Sequence, residues 1–109
     1  MTVDIRICVG TAPLAVAPDI ARILVEEQLC ACVNVIPQAI SIYRWQGKIE
    51  EEQESILLIK TTSATVPLLE DRWVALHPYD TPELLVLDIL GGFPPYLEWV
   101  NEMTRPQES

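Results

Sequence analysis

Hydrophobic and polar positions alternate at the start of the chain. In VDIRICVG, Val3, Ile5 and Ile7 fall on one side and Asp4, Arg6 and Cys8 on the other. Period two over a short run predicts a half-buried strand, with Gly10 as its natural end. In TAPLAVAPDIARILVEEQL the spacing changes. Ile20, Ile23, Leu24 and Leu29 recur at helical intervals, and Glu26 and Glu27 mark the polar side. Pro13 and Pro18 hold off an early start, since proline fits a helix only in its first turn, so the helix runs from near Ala15 to near Gln28.

ACVNVIP and AISIYRW are two strand-like runs split by Pro37. They read as one long bent strand, because proline removes a ladder donor and favours a bulge or an edge. QGK then makes a tight turn, and IEEEQESILLIKT returns. The returning strand is acidic in its first half and apolar in its second, entering the core at Ile56–Ile59. Its acidic half leaves the sheet body as a two-stranded arm. Such an arm is marginal alone and needs something to lie against, such as a neighbouring subunit.

TSATVPLLEDRWVALHPY predicts a second helix, with Ser63 or Thr65 as cap and Leu68, Leu69, Trp73 and Leu76 as its buried stripe. It stops at His77-Pro78, since a residue before proline is biased away from the helical region. PELLVLDIL is a fourth strand. After Gly91-Gly92 a short helix follows Pro94-Pro95, with Leu97 and Val100 facing inward. The tail RPQES reads as frayed. The order strand, helix, strand, strand, helix, strand, then a terminal helix is the split βαβ, or ferredoxin-like, pattern of an α+β fold. Residues 1–109 form one domain, folded over about 3–104.

Half of the 109 residues are hydrophobic, which is ample for one core and leaves apolar surface for a subunit interface. The formal net charge of −9 changes the picture more. Such a surface repels phosphate backbones and anionic lipid, which disfavours nucleic-acid and membrane-surface roles, though excess acid most often serves solubility. No basic, apolar leader opens the chain, and no run reaches the apolar length of a membrane span. Three cysteines, Cys8, Cys30 and Cys32, are an odd number that argues against a disulfide framework and for a reducing cytoplasm.

Candidate chemistry is sparse. Cys30 and Cys32 share a strand face at i and i+2, and soft thiolates bind copper or zinc, but a lone CxC lacks the second pair of a zinc site and fits a buried helix-to-strand junction. His77, the only histidine, sits in the rigid LHPYDTPE loop beside Tyr79, Asp80 and Glu83. Imidazole is a common metal ligand, and a histidine is equally at home capping a helix C-terminus. No GxSxG, phosphate loop or HExxH is present. A nucleophile is Cys32 or Ser41 with His77 as base, or an acid pair among Glu50, Glu51, Glu52 and Glu54, and nothing in the sequence places such groups together. The expectation is a binder, not an enzyme, with no obligatory cofactor.

LCACVNVIPQAISIYRWQGKIEEEQESILLIKTT, LHPYDTPELLVLDI and YLEWV, in that order, resemble the CutA divalent-cation-tolerance family. The resemblance covers about Val3 to Thr104. It implies a ferredoxin-like subunit with a long β-hairpin in a homotrimer similar in architecture to the PII signalling proteins. It implies a role in tolerance of copper and other divalent metals, copper binding in some members, and no established catalysis. Carried over residue by residue, Trp45, Glu54, Lys60, Tyr79 and Glu83 match cleft positions between subunits, and His77 and Cys32 match metal-ligand candidates. Gly10 and Leu76 stand where some members carry Cys and His, so two copper-ligand candidates are missing. The alternatives that remain are a PII-like small-molecule sensor and a trimeric scaffold for a partner protein.

Overall fold

The computed structural model describes residues 4–106. Four strands form one antiparallel sheet in the order β2-β3-β1-β4. They are β1 (Ile5–Pro13), β2 (Cys32–Trp45), β3 (Lys48–Thr62) and β4 (Leu84–Asp88). The helices are α1 (Ala17–Glu26), α2 (Val66–Leu76) and α3 (Pro94–Met103), with one 3-10 turn, Ser63–Thr65, leading into α2. The βαββαβ connection and central β1 and β3 follow the split βαβ pattern.

Helices α1 and α2 cover one face. Their Ile20, Leu24, Leu69 and Trp73 close over Cys8, Ala12, Leu57 and Ile59 of the two central strands. The β1–β3 register, Cys8 opposite Ile59 and Ala12 opposite Ser55, puts these residues on the same side of the pleat. Both faces of β1 carry apolar side chains: Cys8 faces the core under α1 and α2, while Ile7 and Val9 point to the other side and are half-buried, and Ile5 on that side is buried under α3. Val3 lies outside the described residues. Nor does Gly10 end the strand, which runs on to Pro13. Its role is packing: a Cβ there would stand 2.6 Å from the Trp73 ring and 2.9 Å from the Glu83 carbonyl oxygen.

Helix α1 starts and ends two residues inside its expected bounds. Gln28 adopts φ 59°, its N–H bonds the Val25 carbonyl, and the Leu29 N–H bonds the Leu24 carbonyl, both at 3.0 Å. This is a Schellman stop built without glycine, and Leu24 and Leu29 supply its apolar contact. At α2 Thr65 stands at the N-cap position as expected, but neither it nor Ser63 caps the helix through its side chain. The Ser63 hydroxyl donates to Asp4 (2.8 Å), and the Thr65 hydroxyl pairs with that of Thr62 (2.8 Å). Arg105 is not frayed: its N–H bonds the Gln28 carbonyl at 2.7 Å. Residues 107–109 of the tail lie outside the described residues.

The β2–β3 hairpin follows its sequence pattern. Gln46 (φ 50°) and Gly47 (φ 78°) make a two-residue turn between paired Trp45 and Lys48, the form whose twist matches antiparallel strands. The register shifts between Ile36 and Ala39, where Pro37 and Gln38 (φ 66°) form the bulge. Beyond it the arm leaves the helices behind, and Ile40, Ile42 and Ile49 are exposed. Ile36, Leu85 and Leu87, also exposed, share the helix-free face of the sheet with half-buried Ile7, Val9, Ile56 and Leu58. Helix α3 covers only one end of that face, where Val100 and Leu97 pack on Ile5 and Ala31.

Candidate functional site

One polar group gathers where the loop after α2 meets the base of the arm. His77 ends α2, as the proline after it requires, and is 7 % exposed. The Tyr79 N–H donates to His77 Nδ1 (3.1 Å), so that nitrogen holds a lone pair. Nε2 must then carry the proton and donate to the Thr11 carbonyl at 2.8 Å. Trp73 and Tyr79 lie against the imidazole, with ring centroids 5.1 and 4.7 Å away. The clamp fixes Tyr79, whose hydroxyl donates to Glu54 Oε2 at 3.0 Å. Burial first, then the Glu54 carboxylate, push the Tyr79 phenol up to about 12.

Glu54 is 5 % exposed, yet no ion pair reaches it among the described residues. Strand alternation puts Glu50 and Glu52 on its face, toward the arm tip. Tyr43 lies there too, and its phenol is raised by a hydrogen bond to Glu52.

A second group lies at the far end of β3. Cys32 pairs with Lys60 in register, and Lys60 Nζ donates to Asn34 Oδ1 and lies 3.9 Å from Cys32 Sγ. Six residues of strand separate Lys60 from Glu54, about 20 Å. Trp45 stands at the arm tip, 58 % exposed. Glu83 contributes its backbone carbonyl to Trp73 Nε1 (3.1 Å) and leaves its carboxylate in solvent.

The structure thus joins His77, Tyr79 and Glu54. Lys60 and Cys32 are joined to each other and lie apart from that group. Trp45 and Glu83 touch neither. No cluster of three or more His, Cys, Asp or Glu side chains suited to a metal exists among the described residues. Both nitrogens of His77 are committed to hydrogen bonds, and Cys32 faces an ammonium, so a copper centre built on this pair does not fit one subunit. The Glu54 carboxylate, tied to the Tyr79 phenol, is the buried acidic group of this site. The Thr11 carbonyl and Asn34 were not foreseen. The first depends on how the end of α2 packs on β1, and the second on strand alternation from Cys32, which sequence does carry.

Over residues 6–103 the chain matches the family model described as CutA1 divalent ion tolerance protein. It is 53 % identical over 89 residues to the divalent-cation tolerance protein CutA of Thermus thermophilus, covering 82 % of this chain and 86 % of that protein. It is 51 % identical over 90 residues to mouse Protein CutA, covering 83 % of this chain and 51 % of that longer protein. The solved structure of the PII-like protein CutA from Nostoc superposes with a TM-score of 0.88 at 34 % identity, covering 92 % of this chain and 97 % of that one.

Proposed function

Because the chain belongs to the CutA1 divalent ion tolerance protein family, we propose that it works as a divalent-cation-tolerance protein: a homotrimer that binds divalent metal ions, copper and zinc foremost, in clefts between subunits. It performs no catalysis in this reading. The observation that carries it is the Glu54 carboxylate, buried, held by Tyr79 and unmatched by any cation among the described residues. An unpaired buried charge is costly, and a cation from outside the subunit removes that cost.

The assembly supplies the rest of the site. The helix-free sheet face and the arm expose Ile36, Ile40, Ile42, Ile49, Leu85 and Leu87, an apolar surface that neighbouring subunits cover. Two sheet edges, β2 and β4, stand open in a single chain, and closure around a three-fold axis removes them. A neighbour's arm then brings Trp45 to the cleft, and Lys60 and Glu54 of different subunits approach. His77 positions Tyr79; to ligate metal it must surrender a hydrogen bond. Among the described residues no helix is long and apolar enough to cross a membrane. The three free thiols suit a reducing cytoplasm.

Calorimetric titration of metal-free protein with Cu²⁺ and Zn²⁺ tests this reading. Wild type takes up the ions, and Glu54→Gln binds them about tenfold or more weakly, the scale of one lost charged contact. Equal affinity in the variant overturns it. One observation favours a second reading, a PII-like small-molecule site: Lys60, bonded to Asn34, has no carboxylate partner among the described residues and fits an anionic group. Heat from a panel of anionic metabolites, lost in Lys60→Met and kept in Glu54→Gln, selects that reading.

A further inference from the structure

Three features meet at one level of the sheet. Strand β1 ends at Pro13, which pairs with Glu54 of β3, and the chain then turns toward α1. On the other side of β3, Glu54 pairs with Ala39, the first residue past the Pro37 and Gln38 bulge. Beyond that level residues 40–45 pair only with residues 48–53, so the sheet narrows to a two-stranded ribbon. A bulge bends its strand and increases the local twist, and a lone ribbon is only marginally stable. The base of the arm is therefore a hinge.

The Tyr79 hydroxyl closes on that hinge, donating to Glu54 Oε2 at 3.0 Å. A carboxylate acceptor makes a stronger bond than a neutral one. Tyr79 is itself rooted in the sheet body. Its N–H donates to His77 Nδ1, and His77 Nε2 donates to the Thr11 carbonyl, two residues before β1 ends. Buried Trp73 packs against the far side of this clamp through the imidazole. Among the described residues no ion pair holds the arm. The body thus grips the arm at the residue about which it bends.

We propose that Tyr79 and Glu54 form a latch over a hinge at the base of the β2–β3 arm. Closed, the latch fixes the angle between arm and sheet. Open, it lets the arm swing as a unit about Glu54 and the Pro37 and Gln38 bulge. His77 acts through Tyr79, as the positioning residue that keeps the phenol aimed at the hinge. An arm held at one angle loses less freedom when it docks, so the latch prepares the arm for contact with a second copy. The latch itself lies within one chain and stands whether or not the trimer and cation readings do.

The test measures amide hydrogen exchange by peptide mass on the intact, metal-free protein. Peptides over residues 39–53 report the arm, and peptides over the end of α3 report a local opening that leaves Tyr79 in place. Tyr79→Phe speeds exchange in the arm by about tenfold, the scale of one lost hydrogen bond to a charged group. The end of α3 stays within about twofold of wild type. Glu54→Gln keeps an amide oxygen for the phenol and speeds the arm less than Tyr79→Phe does. A neighbour lying on the arm slows wild type and variants alike, so the ratio reads the latch. Circular dichroism confirms that each variant is folded. Arm exchange in Tyr79→Phe within about twofold of wild type, an end of α3 that speeds up as much as the arm, or Glu54→Gln as fast as Tyr79→Phe each overturns the proposal.

Discussion

The Tyr79 hydroxyl donates to Glu54 Oε2 across 3.0 Å, tying the loop after α2 to the base of the β2–β3 arm. Tyr79→Phe removes that donor and leaves a nearly buried carboxylate without its partner. The expected loss is about 1–3 kcal/mol, read as a lower urea midpoint at neutral pH. The same pair sets a pH response. The folded phenol is pushed up to about 12, above the tyrosine value near 10 that the unfolded chain shows. Folding therefore favours the protonated phenol. Its contribution is fully present below about pH 10 and fades as pH rises through about 12. Tyrosinate absorbance should reveal this late-titrating group in wild type, and Tyr79→Phe should lose it.

Gly10 and Trp73 make a second coupling. Gly10→Ala puts a methyl 2.6 Å from the Trp73 ring and 2.9 Å from the Glu83 carbonyl oxygen, which also accepts the Trp73 indole N–H. Trp73 is fully buried and cannot step aside without disturbing His77, against which it packs. Destabilisation of about 1–3 kcal/mol is expected from overpacking, measured by thermal denaturation. A variant as stable as wild type would show that the ring has room to shift.

Gln28 offers the opposite sign. At φ 59° it pays the left-handed cost of an L side chain at the stop of α1. Gln28→Gly keeps both Schellman hydrogen bonds and removes that strain. Allowing for glycine's greater freedom in the unfolded chain, stability should rise by about 0.5–1 kcal/mol, read as a higher denaturant midpoint. A fall would mean that the side chain contributes something its backbone role does not explain.

The long elements were legible because their signals are local. Helix α1 shows 3.6-residue spacing, Gln46-Gly47 marks the hairpin turn, and Pro37 marks the bulge. The face of β1 was not, since Ile7 and Cys8 are both apolar and only the helices packed above decide which is core. Caps failed for a related reason: Ser63 found Asp4, a partner 59 residues away, instead of its own helix. Of the site, the HPYDTPE loop and Glu54 were visible as residue types. Their joining through Tyr79 depended on how the loop after α2 packs on the arm, whereas the separation of Lys60 from Glu54 follows from the rise of a single strand and was legible. The resemblance named those residues together; a single chain assembles only part of the set.

That partial assembly is what an oligomer would complete. Exposed Ile40, Ile42 and Ile49 on the arm and Leu85 and Leu87 on the sheet need a cover, and the separated Glu54 and Lys60 groups need a neighbour to meet. Sedimentation equilibrium at low protein concentration measures this directly. The expected result is the mass of three chains, unchanged on dilution. A clean single-chain mass would rule out the trimer.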